Sequence, residues 1–126
     1  MAYRILVIED DIILAKVIRE ELEEVGFLVE MSNDGALSAA DIRKINPNLI
    51  LLDLLLPGRH GFEILEDIKR SPETKAIPVI VLTQLGSDDD IKKGFHLGAA
   101  DYIVKNQHPI AEIIEKITHF FTEEHR

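Results

Sequence analysis

Residues 49–56 read Leu-Ile-Leu-Leu-Asp-Leu-Leu-Leu, an apolar run of strand length broken by a single acid, Asp53. A strand covered on both faces reads as a continuous apolar run, the mark of an inner strand of a parallel sheet. Residues 4–8 (RILVI) and 77–83 (IPVIVLT) share this character. Two further runs are weaker: FLVEM from Phe27 carries Glu30, and DYIV from Asp101 is short and opens on an acid. Those two are the expected edges.

Between the runs, apolar residues recur at helical spacing: Ile13, Val17, Ile18, Leu22 and Val25; Ala36, Ala39, Ala40 and residues 43–45; Phe62, Leu65 and Ile68; Ile91 and Phe95; Ile110, Ile113, Ile114, Ile117 and Phe121. Helix punctuation agrees, with Asp11 and Ser87 placed as N-caps, Asp88, Asp89 and Asp90 in a first turn, and Pro109 at a first helical position. Gly26, Pro72 and Gly98 follow helical segments. Strand and helix alternate five times, which predicts an α/β domain with helices on both faces of a five-stranded parallel sheet. With right-handed crossovers and the second and fifth strands outside, the simplest order is 2-1-3-4-5. A crevice then opens at the carboxyl ends of the first and third strands, the place to look for chemistry.

The chain has 126 residues, 46% hydrophobic and 29% charged, with no repeat, linker or low-complexity tract, and reads as one domain over residues 1–126. Zero cysteines exclude disulfides, thiolate metal sites and a cysteine nucleophile. No apolar run approaches the ~20 residues of a membrane span, and residues 9–11, all acidic, cut the first run too early for a signal peptide. The expected setting is the cytoplasm. A net charge of −9 repels phosphate backbones and anionic lipid, so neither direct nucleic-acid binding nor membrane binding is expected.

Chemistry-bearing residues stand at the ends of four of the runs: Glu9 and Asp10 after the first, Asp53 late in the third, Thr83 at the end of the fourth and Lys105 after the fifth. Carboxylates about 5 Å apart at an effective dielectric near 20 repel by roughly 3 kcal/mol. Glu9, Asp10 and Asp53 therefore require counter-charge, which Lys105 supplies in part and a hard divalent cation, Mg²⁺, supplies further. An aspartate beside metal, ammonium and hydroxyl is set up to accept a phosphoryl group, and Asp53 is the best placed. The histidines His60, His96, His108, His119 and His125 show no ligand spacing.

From about residue 3 to 121 the chain resembles the receiver domains of two-component response regulators, the CheY-like family. The motifs that carry the resemblance are ILVIEDD at residues 5–11, LLDLLLPGRHG at 51–61, VLT at 81–83 and GAADYIVK at 98–105. The resemblance implies that Asp53 is the phosphoacceptor and that Asp10, Asp53 and the backbone carbonyl of Leu55 bind Mg²⁺, with Glu9 acting through a water. It implies further that Thr83 hydrogen-bonds the phosphoryl group, that Lys105 pairs with it, and that Tyr102 is an aromatic switch moving with Thr83. The implied donor is a sensor histidine kinase or histidine phosphotransfer protein, with an unknown downstream protein target. The chain would be a signalling switch, not a multiple-turnover metabolic enzyme.

Three residues depart from the family pattern. Gln84 replaces a small residue and is expected to cover the phosphoryl site or compete for hydrogen bonds; Asn106 replaces proline and is expected to leave the Lys105 loop freer; His60 replaces a short polar residue at the start of the third helix. A flavodoxin-like flavin protein shares the sheet order, but residues 9–11 repel a flavin phosphate. A phosphatase of the haloacid dehalogenase type leaves Asp53 unexplained. A docking-only or phosphate-sink receiver, and a receiver cut from a longer regulator, stay open.

Overall fold

The computed structural model describes residues 2–124. Five parallel strands, β1 (Arg4–Ile8), β2 (Leu28–Ser32), β3 (Leu49–Leu52), β4 (Val79–Thr83) and β5 (Asp101–Val104), lie in the order β2-β1-β3-β4-β5. They alternate with helices α1 (Ile12–Glu24), α2 (Ala39–Ile45), α3 (Gly61–Arg70), α4 (Asp88–His96) and α5 (Ile110–Glu124), and one turn of 3₁₀ helix, Lys105–Gln107, follows β5. The expected order and edge strands are those observed. His125 lies outside the described residues.

Because side chains alternate across a strand, the inner runs feed two cores at once. Ile5, Val7, Leu49, Leu51, Ile80 and Leu82 pack with Ile18 and Leu22 of α1 and Ile113, Ile117 and Phe121 of α5. On the other face Leu6, Ile8, Ile50, Leu52, Val79 and Val81 pack with Ile42 of α2 and Phe62, Leu65 and Ile68 of α3. Each fully buried leucine or isoleucine contributes about 2 kcal/mol relative to exposure, so the inner strands carry much of the stability.

Strand register sets the functional rim. Ile8 pairs with Leu52, and the Asp53 N–H donates to the Ile8 carbonyl at 3.0 Å, so Glu9 and Asp53 emerge side by side. Thr83 pairs with Val104, which brings Lys105 out one residue beyond it.

Several local expectations change. Ile13, Val17 and Val25 face solvent, while Ala15, Ile18 and Leu22 are the buried residues of α1. Ile13 and Val17 sit one residue, about 100°, round the helix from Leu14 and Ile18, so a stripe this broad has an outer half that the sheet does not reach. In α2 the buried residue is Ile42; the helix starts at Ala39, and Ala36 lies in the preceding turn, where its N–H donates to Asp34. In α4 only Gly94 is buried, and Phe95 is half-exposed because the ring of Tyr102 fills the space beneath the helix. Asp53 lies just past the end of β3, and β4 begins at Val79, two residues after Ile77. Pro109 stands one place before α5, its carbonyl accepting from the Glu112 N–H at 3.0 Å. Asp11 and Ser87 cap α1 and α4 as expected, accepting from the N–H groups of Leu14 and Asp90.

Candidate functional site

Glu9, Asp53 and Thr83 are the acids and hydroxyl that end the inner strands, and each is buried to within 4% of complete. Lys105, at the start of the 3₁₀ turn, reaches back between the two carboxylates. Its Nζ lies 2.6 Å from Glu9 Oε1 and 2.9 Å from Asp53 Oδ2. The second oxygen of each acid is held by backbone: Glu9 Oε2 accepts from the Asp11 N–H at 3.2 Å, and Asp53 Oδ1 from the Leu55 N–H at 3.1 Å. One ammonium therefore serves two buried acids.

The protonation balance follows. Burial pushes the Glu9 carboxyl up to about 7; the Lys105 hydrogen bond opposes this and the neighbouring Asp53 charge adds to it. Burial alone lowers the Lys105 ammonium, but its bonds to Glu9 and Asp53 outweigh that and hold its pKa above the ordinary lysine value. Lys105 stays charged, and Glu9 is the group whose charge is unsettled near neutrality.

Asp10 is exposed at the mouth of this cluster, and ligand oxygens of Glu9, Asp10 and Asp53 all lie within 4.8 Å of one another. Among the described residues this is the only such group of three potential metal ligands. All its donors are hard carboxylate oxygens, one residue is open to solvent, and the local charge is negative, which fits a hard divalent cation. No described histidine joins it; His108 instead pairs with Glu112 at 2.7 Å. The Leu55 side chain is exposed and its N–H faces Asp53.

Thr83 and Tyr102 meet at a residue that sequence reasoning passed over. Thr83 Oγ1 accepts from the Leu85 N–H at 3.4 Å, and the Tyr102 hydroxyl donates to the Leu85 carbonyl at 2.6 Å. Burial pushes the Tyr102 phenol up to about 12, with Asp90 and Asp53 adding to the shift. The ring lies against Gly94, where a Cβ would come within 2.7 Å of it. A glycine inside a helical stretch was the available signal for that contact.

Of the three departures, Gln84 is exposed, and Asn106 lies within the 3₁₀ turn, so the Lys105 segment is a defined turn. His60 is the N-cap of α3, its Nδ1 accepting from the Phe62 N–H at 3.1 Å. A groove of about 910 Å³ lies remote from the rim: Pro78, Ala100 and Asp101, at the opposite strand ends, line it together with residues of α5. No described helix is long and apolar enough to cross a membrane.

The family model for the response regulator receiver domain matches residues 5–118. The DNA-binding dual master transcriptional regulator RpaA of Synechocystis is 39% identical over 102 residues, covering 81% of this chain and 42% of its own length. The chain spans about half the length, or less, of the curated relatives it matches first. Among solved structures, the Mn²⁺-bound form of response regulator Rcp1 superposes with a TM-score of 0.82 at 30% identity, over 98% of this chain and 97% of that one. The phosphorylated cyanobacterial phytochrome response regulator RcpA does so with a TM-score of 0.80 at 31% identity, over 96% and 92%.

Proposed function

The chain belongs to the response regulator receiver family of two-component signalling, and from that premise we propose that Asp53 accepts a phosphoryl group and thereby switches a protein-binding surface. Receiver domains are signalling proteins, not metabolic enzymes, and they interact with histidine kinases or phosphotransfer proteins, which are the donors proposed here. The reading rests above all on Asp53 itself, a buried carboxylate at an inner strand end with Lys105 on one oxygen and the Leu55 N–H on the other.

In this scheme a lone pair of an Asp53 oxygen attacks phosphorus. The P–N bond of the donor phosphohistidine breaks with its electron pair going to the imidazole, which takes a proton. Lys105 holds one Asp53 oxygen in place and neutralises charge that develops on the phosphoryl group. Glu9, Asp10, Asp53 and the Leu55 carbonyl would hold Mg²⁺, which when bound supplies further neutralisation of the phosphoryl oxygens. Thr83 is the hydroxyl donor to the new group. Its turn toward Asp53 releases the Leu85 N–H and transmits the change to Tyr102 through Leu85, whose N–H and carbonyl belong to adjacent peptide units.

The test is intact-mass analysis after incubation with acetyl phosphate and Mg²⁺. One acid-labile phosphate is expected on the wild type and none on Asp53→Asn; full labelling of the variant would overturn the assignment.

A further inference from the structure

Histidine is a conditional helix cap, and in this chain it stands next to the phosphoacceptor segment. His60 Nδ1 accepts from the Phe62 N–H at 3.1 Å, and the imidazole stacks on the Phe62 ring with centroids 5.2 Å apart and planes 10° from parallel. Nδ1 accepts a hydrogen bond only in the neutral ring with its proton on Nε2. A proton added at Nδ1 turns this acceptor into a donor facing another donor, and sets a positive charge against the positive end of α3. The charged groups on the elements packed there are Glu63 in the first turn of α3, Arg59 ion-paired to Asp67, and Lys93 of α4, whose Nζ lies 4.7 Å from the Phe62 ring centroid. Lys93 thus places a cation at the ring on which His60 stacks.

The end of α3 that His60 caps is in backbone contact with Asp53. The Gly61 N–H donates to the Leu54 carbonyl at 2.9 Å, and a Cβ on Gly61 would lie 2.2 Å from Leu54 Cα and 2.9 Å from the Asp53 carbonyl oxygen. No slack separates the cap from the acceptor residue. We propose that His60 is a positioning residue for Asp53, holding the 53–61 segment in its accepting geometry only while its Nδ1 is unprotonated, so that phosphoryl acceptance by this receiver falls in mild acid. The inference rests on the reading of Asp53 as the acceptor. Asparagine caps helices by the same geometry without gaining a proton in this range, which gives the conservative comparison.

The experiment has two arms on the intact chain. In the first, ¹⁵N NMR of the imidazoles identifies the His60 tautomer, and the amides of residues 53–62 are followed from pH 8 to pH 5.5 in wild type and His60→Asn. The expected result is an Nε2–H tautomer at pH 8 and, on acidification, a shift of the Phe62 amide in the wild type alone, with residues 54–61 following it beyond the Glu9-driven changes that both proteins share. In the second arm, the rate of Asp53 labelling by acetyl phosphate at saturating Mg²⁺ is measured over the same range for wild type, His60→Asn and His60→Ala, each confirmed folded by thermal unfolding. The ratio of wild type to His60→Asn should be near unity at pH 8 and fall several-fold at pH 6, with His60→Ala slow throughout. Glu9 titrates in every variant and cancels in the ratio. A ratio that does not change with pH, or a Phe62 amide that moves alike in both proteins, overturns the proposal. Absence of label on Asp53 in every variant would instead overturn the acceptor reading, with the capping of the 53–61 segment still decided by the first arm.

Discussion

The Lys105 ammonium sits 2.6 Å from Oε1 of Glu9, nearer than its 2.9 Å to Asp53 Oδ2, and all three groups are largely shielded from water. A charge placed for Asp53 is thus shared with an acid whose own ionisation is unsettled, and a bound cation would compete with the proton and the ammonium for one cluster.

The first consequence is a pH-dependent metal affinity. The folded, metal-free Glu9 has its pKa raised from 4.5 to about 7 by burial, so between those values the fold holds a proton that a bound cation disfavours. Mg²⁺ affinity should rise from pH 6 to pH 8 and level off above, approaching about tenfold per pH unit below the Glu9 pKa. Calorimetric titration at several pH values checks this. Glu9→Gln should bind more weakly with a flat profile, and an equally steep profile in that variant would rule Glu9 out as the source.

Removing the shared ammonium should cost stability in a pH-dependent way. Lys105→Met leaves Glu9 and Asp53 buried without their counter-charge, a loss on the order of 3 kcal/mol once Glu9 is ionised. Below its raised pKa Glu9 takes a proton and part of the repulsion disappears. Urea unfolding without metal should therefore show a larger loss at pH 8 than at pH 6, and equal losses would contradict the arrangement.

Signal transmission is expected to pass through Leu85. Beryllofluoride with Mg²⁺, a phosphoryl mimic, should shift amides around residues 83–97 and 100–105 in NMR spectra. Thr83→Ala should shrink the distal shifts while Asp53 still accepts phosphate, and Tyr102→Phe, which deletes the hydroxyl bonded to the Leu85 carbonyl, should change the Tyr102 end of the response selectively. Shifts confined to residues touching the mimic would indicate a receiver that takes phosphate without switching.

Two glycine substitutions should separate rigid from yielding contacts. Gly61→Ala drives a methyl into the Leu54 backbone, which cannot move without the end of β3, and should cost about 3 kcal/mol or more. Gly94→Ala meets the Tyr102 ring, which can tilt, and should cost about 1 kcal/mol while weakening the Tyr102–Leu85 hydrogen bond. Denaturant unfolding ranks the two. The reverse order would mean that the α3 junction is the looser one.

Much of this was legible from the residue order, because a strand buried on both faces must be apolar throughout and the strands of a parallel sheet all end on the same side. Residues 49–52 and their partners therefore announced the sheet, and Glu9, Asp10, Asp53, Thr83 and Lys105 announced one rim. The cap residues Asp11 and Ser87 were legible for an equally local reason, since a cap bonds an N–H only three residues ahead.

What the residue order left open depends on contacts between distant segments. Helical periodicity fixes a face only to within about one residue's rotation of 100°, and packing of α1 against the sheet and α5 chose Ile18 and Leu22 over Ile13 and Val17. The Lys105 bond to Asp53 spans 52 residues and exists because strand register brings the two ends level. That Lys105 sits nearer Glu9 than Asp53, that Leu85 joins Thr83 to Tyr102, and that His60 works as a cap one residue from a glycine with no room for a side chain are consequences of ångström-scale approach. Residue types supply the groups for these bonds, and only the packed backbone sets them within reach.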